Sequence, residues 1–338
     1  MRQHAGVTPL WQRGAGGICR FDASATTVIL STFTKKDLIG AAIAIAVLAV
    51  APLLFKSNYL VGVLTVAVIY GLWAASWDFM SGLTGRENFG YALFIGAGAY
   101  TAGFLDTAFL ANPWWGLPAG VVAAVAFSLL LGFPTLRLKG PYFALAMLSG
   151  AAILQRLMLI FWEKTGGEEG LYGIQPLLNS QLGFYYLVLG VTLFSVLVLA
   201  LLARSPWGLI LRAIRGDEAS CQAAGINVTF YKIASLAISA AFGGLGGALY
   251  AHYQLQVSPQ LFSIVTTITV IIMVYVGGMG SIYGAVGGAV LLTLLTELLR
   301  DFGEWRLLIY SLILILILFF LPGGLIAPLW RKLRSMAQ

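Results

Sequence analysis

Few residues in this chain can do covalent chemistry, and those few are scattered. The two histidines, His4 and His252, and the two cysteines, Cys19 and Cys221, match neither a metal-ligand spacing nor a paired-cysteine framework. No Ser/His/Asp set offers a nucleophile, and no G-x-x-x-x-G-K-[ST] loop is present to cradle phosphates. What remains is ionic and polar chemistry at isolated points. Arg156 stands inside an apolar run, where an ionisable group is a functional candidate by default. It also lies within about two turns of the end of that run, so snorkelling or pairing with Glu163 is the simpler expectation. The glycine-rich, acidic loop TGGEEGL, Thr165 to Leu171, follows.

Two further segments are unusual. In SGLTGRENFGYALFIGAGAY, Ser81 to Tyr100, five glycines and the charged pair Arg86 and Glu87 interrupt apolar sequence. Non-helical backbone at membrane depth survives only where protein or a cavity surrounds it, and broken helices of this kind aim their amides at substrate in transporters. Asn88, Gly90, Tyr91 and Gly96 are therefore pathway candidates beside Arg156; the bland reading is a short loop before a glycine-rich helix. The second segment is Arg204 to Val228. Ser205 can cap a helix with Pro206 at its first position. Arg212 and Arg215 lie on the polar side of the run Trp207 to Ile214, and Gly216 breaks it. Asp217 can cap a second short helix containing Glu218 and ending at Gly225. Two short helices joined by glycine make a docking knob, or an amphipathic pair held by lipid.

Composition sets where these segments sit. Of 338 residues, 59% are hydrophobic and 10% charged, with mean hydropathy +0.90. A soluble domain is about 45–50% apolar and about 25% charged. The chain thus has apolar material for about ten membrane-spanning helices of about 20 residues. The net charge of +7 does not indicate nucleic acid, because no basic run is interleaved with aromatics. It fits Lys and Arg gathered in cytoplasmic loops.

The apolar runs are 38–55, 59–76, 89–110, 115–133, 141–162, 183–203, 230–252, 264–279, 284–300 and 306–321. They do not alternate as barrel strands would, so helices are expected. With the N-terminus inside, 15 of the 20 basic residues fall on the cytoplasmic side, which favours N-in and C-in. Residues 1–37 read as a disordered cytoplasmic tail, 38–330 as one all-α polytopic membrane domain, and 331–338 as a second tail. Ser239, Gly243 and Gly247 recur every fourth residue, as do Gly280, Gly284 and Gly288, giving small-residue stripes for close helix packing.

Six stretches in order resemble the LivM-type permeases of branched-chain amino acid ABC importers. They are RLKGPYFALAML, TGGEEGL, LRAIRGDEASCQAAGINVTFYK, ISAAFGGLGGALYA, VYVGGMGSIYGAVGGAV and LPGGL. The chain departs from the family's usual pattern at Asn88–Tyr91, at Glu168 and Glu169, at Gly284-Ala285 and at Pro322–Gly324. The resemblance implies a tightly packed permease of the bacterial inner membrane that moves its substrate by alternating access. Its implied partners are a second homologous permease subunit, two cytoplasmic ATP-binding subunits and a periplasmic substrate-binding protein, with lipid around it. ATP and Mg would be bound by the ATPases, with no cofactor, metal or catalytic residue in this chain. Arg212, Arg215, Asp217, Glu218 and Gly225 would form the coupling loop. Relatives of this type carry branched-chain amino acids, and others resemble carriers of urea, short amides or aromatic carboxylates.

Overall fold

Backbone amides with no water nearby must be paired within the chain, and in these apolar runs the result is helix. The structure, a computed structural model, describes residues 46–302 apart from 53–56, 111, 137, 139 and 140, together with 305 and 309. The two expected tails lie outside the described residues, and so does the run 306–321 except for residue 309. Of 38–55 only the helical stretch 46–52 is described. The helices are α1 (Asn58–Trp77), α2 (Ala92–Phe109), α3 (Gly116–Thr135), α4 (Tyr142–Ile160), α5 (Trp162–Thr165), α6 (Gln181–Arg204), α7 (Pro206–Gly216), α8 (Glu218–Ala223), α9 (Val228–Gln254), α10 (Ile264–Gly277) and α11 (Ile282–Leu298). A π-helical turn, Asp78–Gly82, continues α1, and two-residue strands β1 (Leu171–Tyr172) and β2 (Gln256–Val257) pair antiparallel.

Six helical segments are long and apolar enough to cross a bilayer: Asn58–Gly82, Ala92–Phe109, Pro113–Thr135, Tyr142–Ile160, Gln181–Arg204 and Val228–Gln254. The runs 264–279 and 284–300, expected as two full spans, form an elbow instead. Helices α10 and α11 have 14 and 17 residues and meet at an angle of 113°. Gly278 and Gly280 make the break, with φ of 106° and 82° that other residues rarely adopt. The described residues thus hold six such helices, or seven spans if the elbow counts as one, where eight apolar runs lie in the same stretch.

Helix α9 is the centre of the bundle and packs on α1, α2 and α3. Its small residues allow that approach. A Cβ on Gly243 would sit 2.8 Å from the Tyr91 hydroxyl, and one on Gly247 would strike the Ile95 carbonyl. Ser239 Oγ donates to the Ser76 carbonyl at 2.6 Å. In the elbow, Gly284 faces the Gly277 carbonyl and Gly288 the Met273 carbonyl. Gly280 is not on this helical stripe: it lies in the turn.

The segment 85–91 is not helical, and several of its backbone groups find partners within the bundle. Gly85 N–H donates to the Ser81 carbonyl at 3.0 Å, and Asn88 N–H to Ser81 Oγ at 3.3 Å. Trp77 Nε1 donates to the Asn88 carbonyl at 2.9 Å, and Gly90 N–H to Asn88 Oδ1 at 2.9 Å. Ala92 N–H, at the start of α2, donates to Thr267 Oγ1 on α10 at 3.0 Å. Tyr91 lies level with Gly243, 15 residues into α9, so α2 begins about 22 Å along its neighbour. Ser81 to Tyr100 thus holds a non-helical stretch, 85–91, ahead of the continuous helix α2.

Glycine substitutions should separate by neighbour. Gly247→Ala must displace backbone at Ile95 and should cost about 1–3 kcal/mol. Gly190→Ala on α6, with nothing within 4 Å, should be neutral or gain up to about 1 kcal/mol. Thermal unfolding in detergent reads the difference, and equal effects would contradict this packing.

Candidate functional site

Two cavities open between α1, the end of α9, the segment 255–263, α10 and α11. The larger, about 710 Å³, is lined by Asn58, Tyr59, Gly62 and Val66 of α1, Gln181, Tyr253, and Thr293, Thr296 and Glu297 of α11. The smaller, about 290 Å³, is lined by Trp73, Tyr250, Gln256, Ser258, Gln260, Val265 and Thr266 among others. Tyr70, Gln254 and Thr269 line both, so the two adjoin. The α1 face they share runs from Asn58 to Trp73, about 22 Å at the helical rise.

Charge is confined to one end of this groove. Tyr59 OH donates to Glu297 Oε1, Arg300 pairs with Glu297 at 3.6 Å, and the Arg300 guanidinium lies 4.8 Å from the Tyr59 ring centre. Deeper in, the lining is aromatic, hydroxyl and carboxamide. Tyr70 stacks on Trp73 at 5.0 Å, Trp73 meets Tyr250 at 5.4 Å, and Gln254 Nε2 donates to Tyr250 OH at 2.8 Å. A lining of that kind holds a small, largely apolar solute with a few polar groups.

Asn88, Gly90, Tyr91 and Gly96 line neither cavity. They are buried and hold the break: Gly90 lies against the Met147 carbonyl, Gly96 against the Phe262 ring, and Tyr91 OH bonds Ser76 Oγ. Arg156 is exposed on α4 and makes no ion pair with Glu163 among the described residues. Tyr70, Trp73, Tyr250, Gln254, Thr266 and Thr269 were not signalled by the sequence. The one available hint is the spacing Tyr59, Val63, Val66, Tyr70, Trp73 along one face of α1, which looks like ordinary packing.

The opposite end of the bundle carries the 204–228 loop, whose inner face packs on the rest of the protein. Leu211 is buried with Ala75, Phe79 and Ala203, while Ile214, Cys221 and Val228 form a small core of their own. Trp207 packs on Tyr231 at 5.3 Å. Pro206 opens α7, but Ser205 does not cap it: its hydroxyl donates back to the Leu202 carbonyl at 2.7 Å. Asp217 does cap α8, accepting from Ala219 N–H at 2.9 Å and from Ser220 Oγ. Gly225, with φ of 81° and nothing within 4 Å, ends the unit. Arg212 is exposed.

Glu218 and Arg215 reach inward. Glu218 Oε2 pairs with Arg86 at 2.9 Å, and Oε1 pairs with the buried Lys232 at the base of α9. Arg86 also donates to the Leu138 carbonyl at 2.6 Å, joining the α3–α4 connection to the same cluster. Burial raises the Glu218 pKa, but the bonds from Lys232 and Arg86 outweigh it and hold the carboxyl below its ordinary value. A depressed carboxylate stabilises the fold above its unfolded pKa, about 4.3, and loses that contribution as pH falls through the folded value. Amide exchange across 218–223, corrected for intrinsic rates, should therefore rise on acidification below about pH 4. Glu218→Gln should exchange fast already at neutral pH, and a wild-type profile that does not change with acid would contradict the clamp.

The chain matches the profile of the family "Branched-chain amino acid transport system / permease component" over residues 59–321. It is 34% identical over 325 residues to the high-affinity branched-chain amino acid transport system permease protein LivM of Salmonella typhimurium, covering 86% of this chain and 76% of that one. The Escherichia coli protein of the same name is 33% identical over 313 residues, covering 84% and 74%. A probable LivM of Methanocaldococcus jannaschii is 26% identical over 265 residues, covering 69% and 75%. No solved structure matches. With most of the chain matched by the family profile and by relatives above 30% identity, it belongs to the family of permease components of branched-chain amino acid transport systems.

Proposed function

We propose that the chain is the permease subunit of an ATP-driven importer for branched-chain or other apolar amino acids. The observation that carries this reading is the groove from Asn58 to Trp73, charged at its mouth and uncharged within. A zwitterion with an aliphatic side chain can be met by Glu297 and Arg300 at entry and by Tyr70, Trp73 and Gln254 further in. Polar side chains along such a groove are costly against lipid, which favours a water-filled path completed by a second permease subunit.

The importer works by alternating access. A periplasmic binding protein delivers substrate at the Asn58 end. Of the two cytoplasmic ATPases, one docks on the 204–228 loop at the other end, where Arg212 and Gly225 are exposed. Both termini lie on the cytoplasmic side of the inner membrane. This chain performs no chemistry on the substrate: ATP and Mg are bound by the partner subunits. A second reading, uptake of small amides such as urea, is favoured by the carboxamides of Gln254, Gln256 and Gln260 at the inner cavity.

Uptake of labelled leucine by the reconstituted importer tests the reading. Transport should require ATP, all partners and this chain. Tyr70→Ala should raise the KM about tenfold or more, while Val122→Ala, on an exposed face of α3, should leave it unchanged. Absence of leucine uptake together with ATP-dependent urea uptake would favour the second reading, and absence of both would overturn the importer assignment.

A further inference from the structure

The segment Asp78–Asn88 touches both the 204–228 loop and α10. On the loop side, Arg215 in the last turn of α7 donates from Nη1 to the Gly82 carbonyl at 2.6 Å. Its stem crosses Gly85, where a Cβ would sit 2.7 Å from Arg215 Cγ. Gly85 has φ of 71°, so glycine is suited there by both conformation and space. Glu218 of α8 grips the same segment through Arg86. On the α10 side, the fully buried Asp78 accepts the Gly280 N–H at 2.6 Å, holding the elbow turn. Glu87 accepts a hydrogen bond from Tyr275 OH of α10 at 2.6 Å.

The other end of α10 is cavity wall, through Val265, Thr266, Thr269 and Val270. A displacement of α7 and α8 therefore has a short bonded route to the groove, through two contacts on each side of one segment.

We infer that Arg215 is a positioning residue that carries movement of the 204–228 loop to α10 through Gly82, Asp78 and Gly280, and that Tyr275 with Glu87 is a parallel link in the same route. This deepens the importer reading and rests on it. It assigns Arg215 an internal role: both Arg212 and Arg215 are exposed, and what sets Arg215 apart is its bond to the Gly82 carbonyl. The route ends at a glycine turn: Gly278 and Gly280 supply the positive-φ backbone where α10 and α11 meet at 113°.

The test uses the whole importer in proteoliposomes, with its second permease, ATPases and binding protein. The readouts are ATPase subunits retained per permease, ATP hydrolysis stimulated by the binding protein, and leucine taken up per ATP. Arg215→Ala should retain the ATPases and their hydrolysis while uptake per ATP falls about tenfold. Arg215→Lys, which keeps a donor, should recover part of that loss. Tyr275→Phe removes only the parallel link and should lower uptake per ATP about threefold, so the route is tested even if Arg215→Ala does not assemble. Unchanged uptake per ATP in Arg215→Ala, or in Tyr275→Phe where Arg215→Ala does not assemble, would overturn the inference. So would loss of the ATPases from assembled Arg215→Ala, which would make Arg215 a docking contact. Absence of ATP-dependent uptake in the wild-type assembly sinks the importer reading instead, and is recognised before any variant is compared.

Discussion

Every backbone amide and carbonyl at membrane depth has to find its partner inside the protein, and this constraint organises the rest of the structure. An unbroken helix meets it alone. The segment 85–91 cannot, and so it borrows from its own neighbourhood: Ser81, Asn88 and Trp77 supply bonds to it, while Thr267 of α10 meets the first amide of α2. Those partners are within reach only because α9 comes close enough to seal the region. Gly243 and Gly247 on α9 have no side chain to hold α2 away. The glycines thus permit the enclosure, the enclosure permits the break, and the break lets one segment contact both the 204–228 loop and α10.

Charge follows the same logic. Taking an ion out of water is costly unless it is paired, so the clusters sit at the two ends of the bundle. Arg86, Glu218 and Lys232 tie the loop to the base of α9, while Tyr59, Glu297 and Arg300 sit at the mouth of the groove. Two described acidic groups are buried outside these clusters: Asp106 accepts the Gln175 N–H, and Asp78 accepts the Gly280 N–H of the elbow turn. Between the ends, the groove is lined by groups that hydrogen-bond without carrying charge, which suits passage of a solute that must bind and then leave.

The six long helices were legible because each is an apolar run near the length a bilayer needs. Five glycines and a charged pair marked Ser81–Tyr100 as interrupted, but did not separate a broken segment from a short loop before a helix. The elbow was not: VYVGGMGSIYG joins two apolar runs, and nothing local separates a turn between full spans from a turn between short ones. That depends on α10 beginning deep in the bundle beside Ala92, a contact 175 residues away in sequence. Asn88, Gly90, Tyr91 and Gly96 drew notice by residue type, and they hold the break without lining the cavities. The groove itself is built of common residues, Tyr70, Gln254 and Thr269, drawn from separate helices, so it exists only after folding. Glu218 was legible as part of the loop, but its inward partners, Arg86 and Lys232, were visible only in three dimensions.

On the proposed function, the face running from Asn58 to Trp73 and across α10 and α11 is a water-filled path, not a lipid-facing surface. Cysteine accessibility tests this most directly. In a background of Cys19→Ser and Cys221→Ser, the substitutions Thr269→Cys and Thr293→Cys would be compared with Val122→Cys and Leu130→Cys, using a charged, water-soluble maleimide on the assembled importer in membranes. Fast labelling at Thr269 and Thr293, slowed by leucine at Thr269, with little at Val122 and Leu130, is the predicted result. Equal protection at all four positions would contradict the claim.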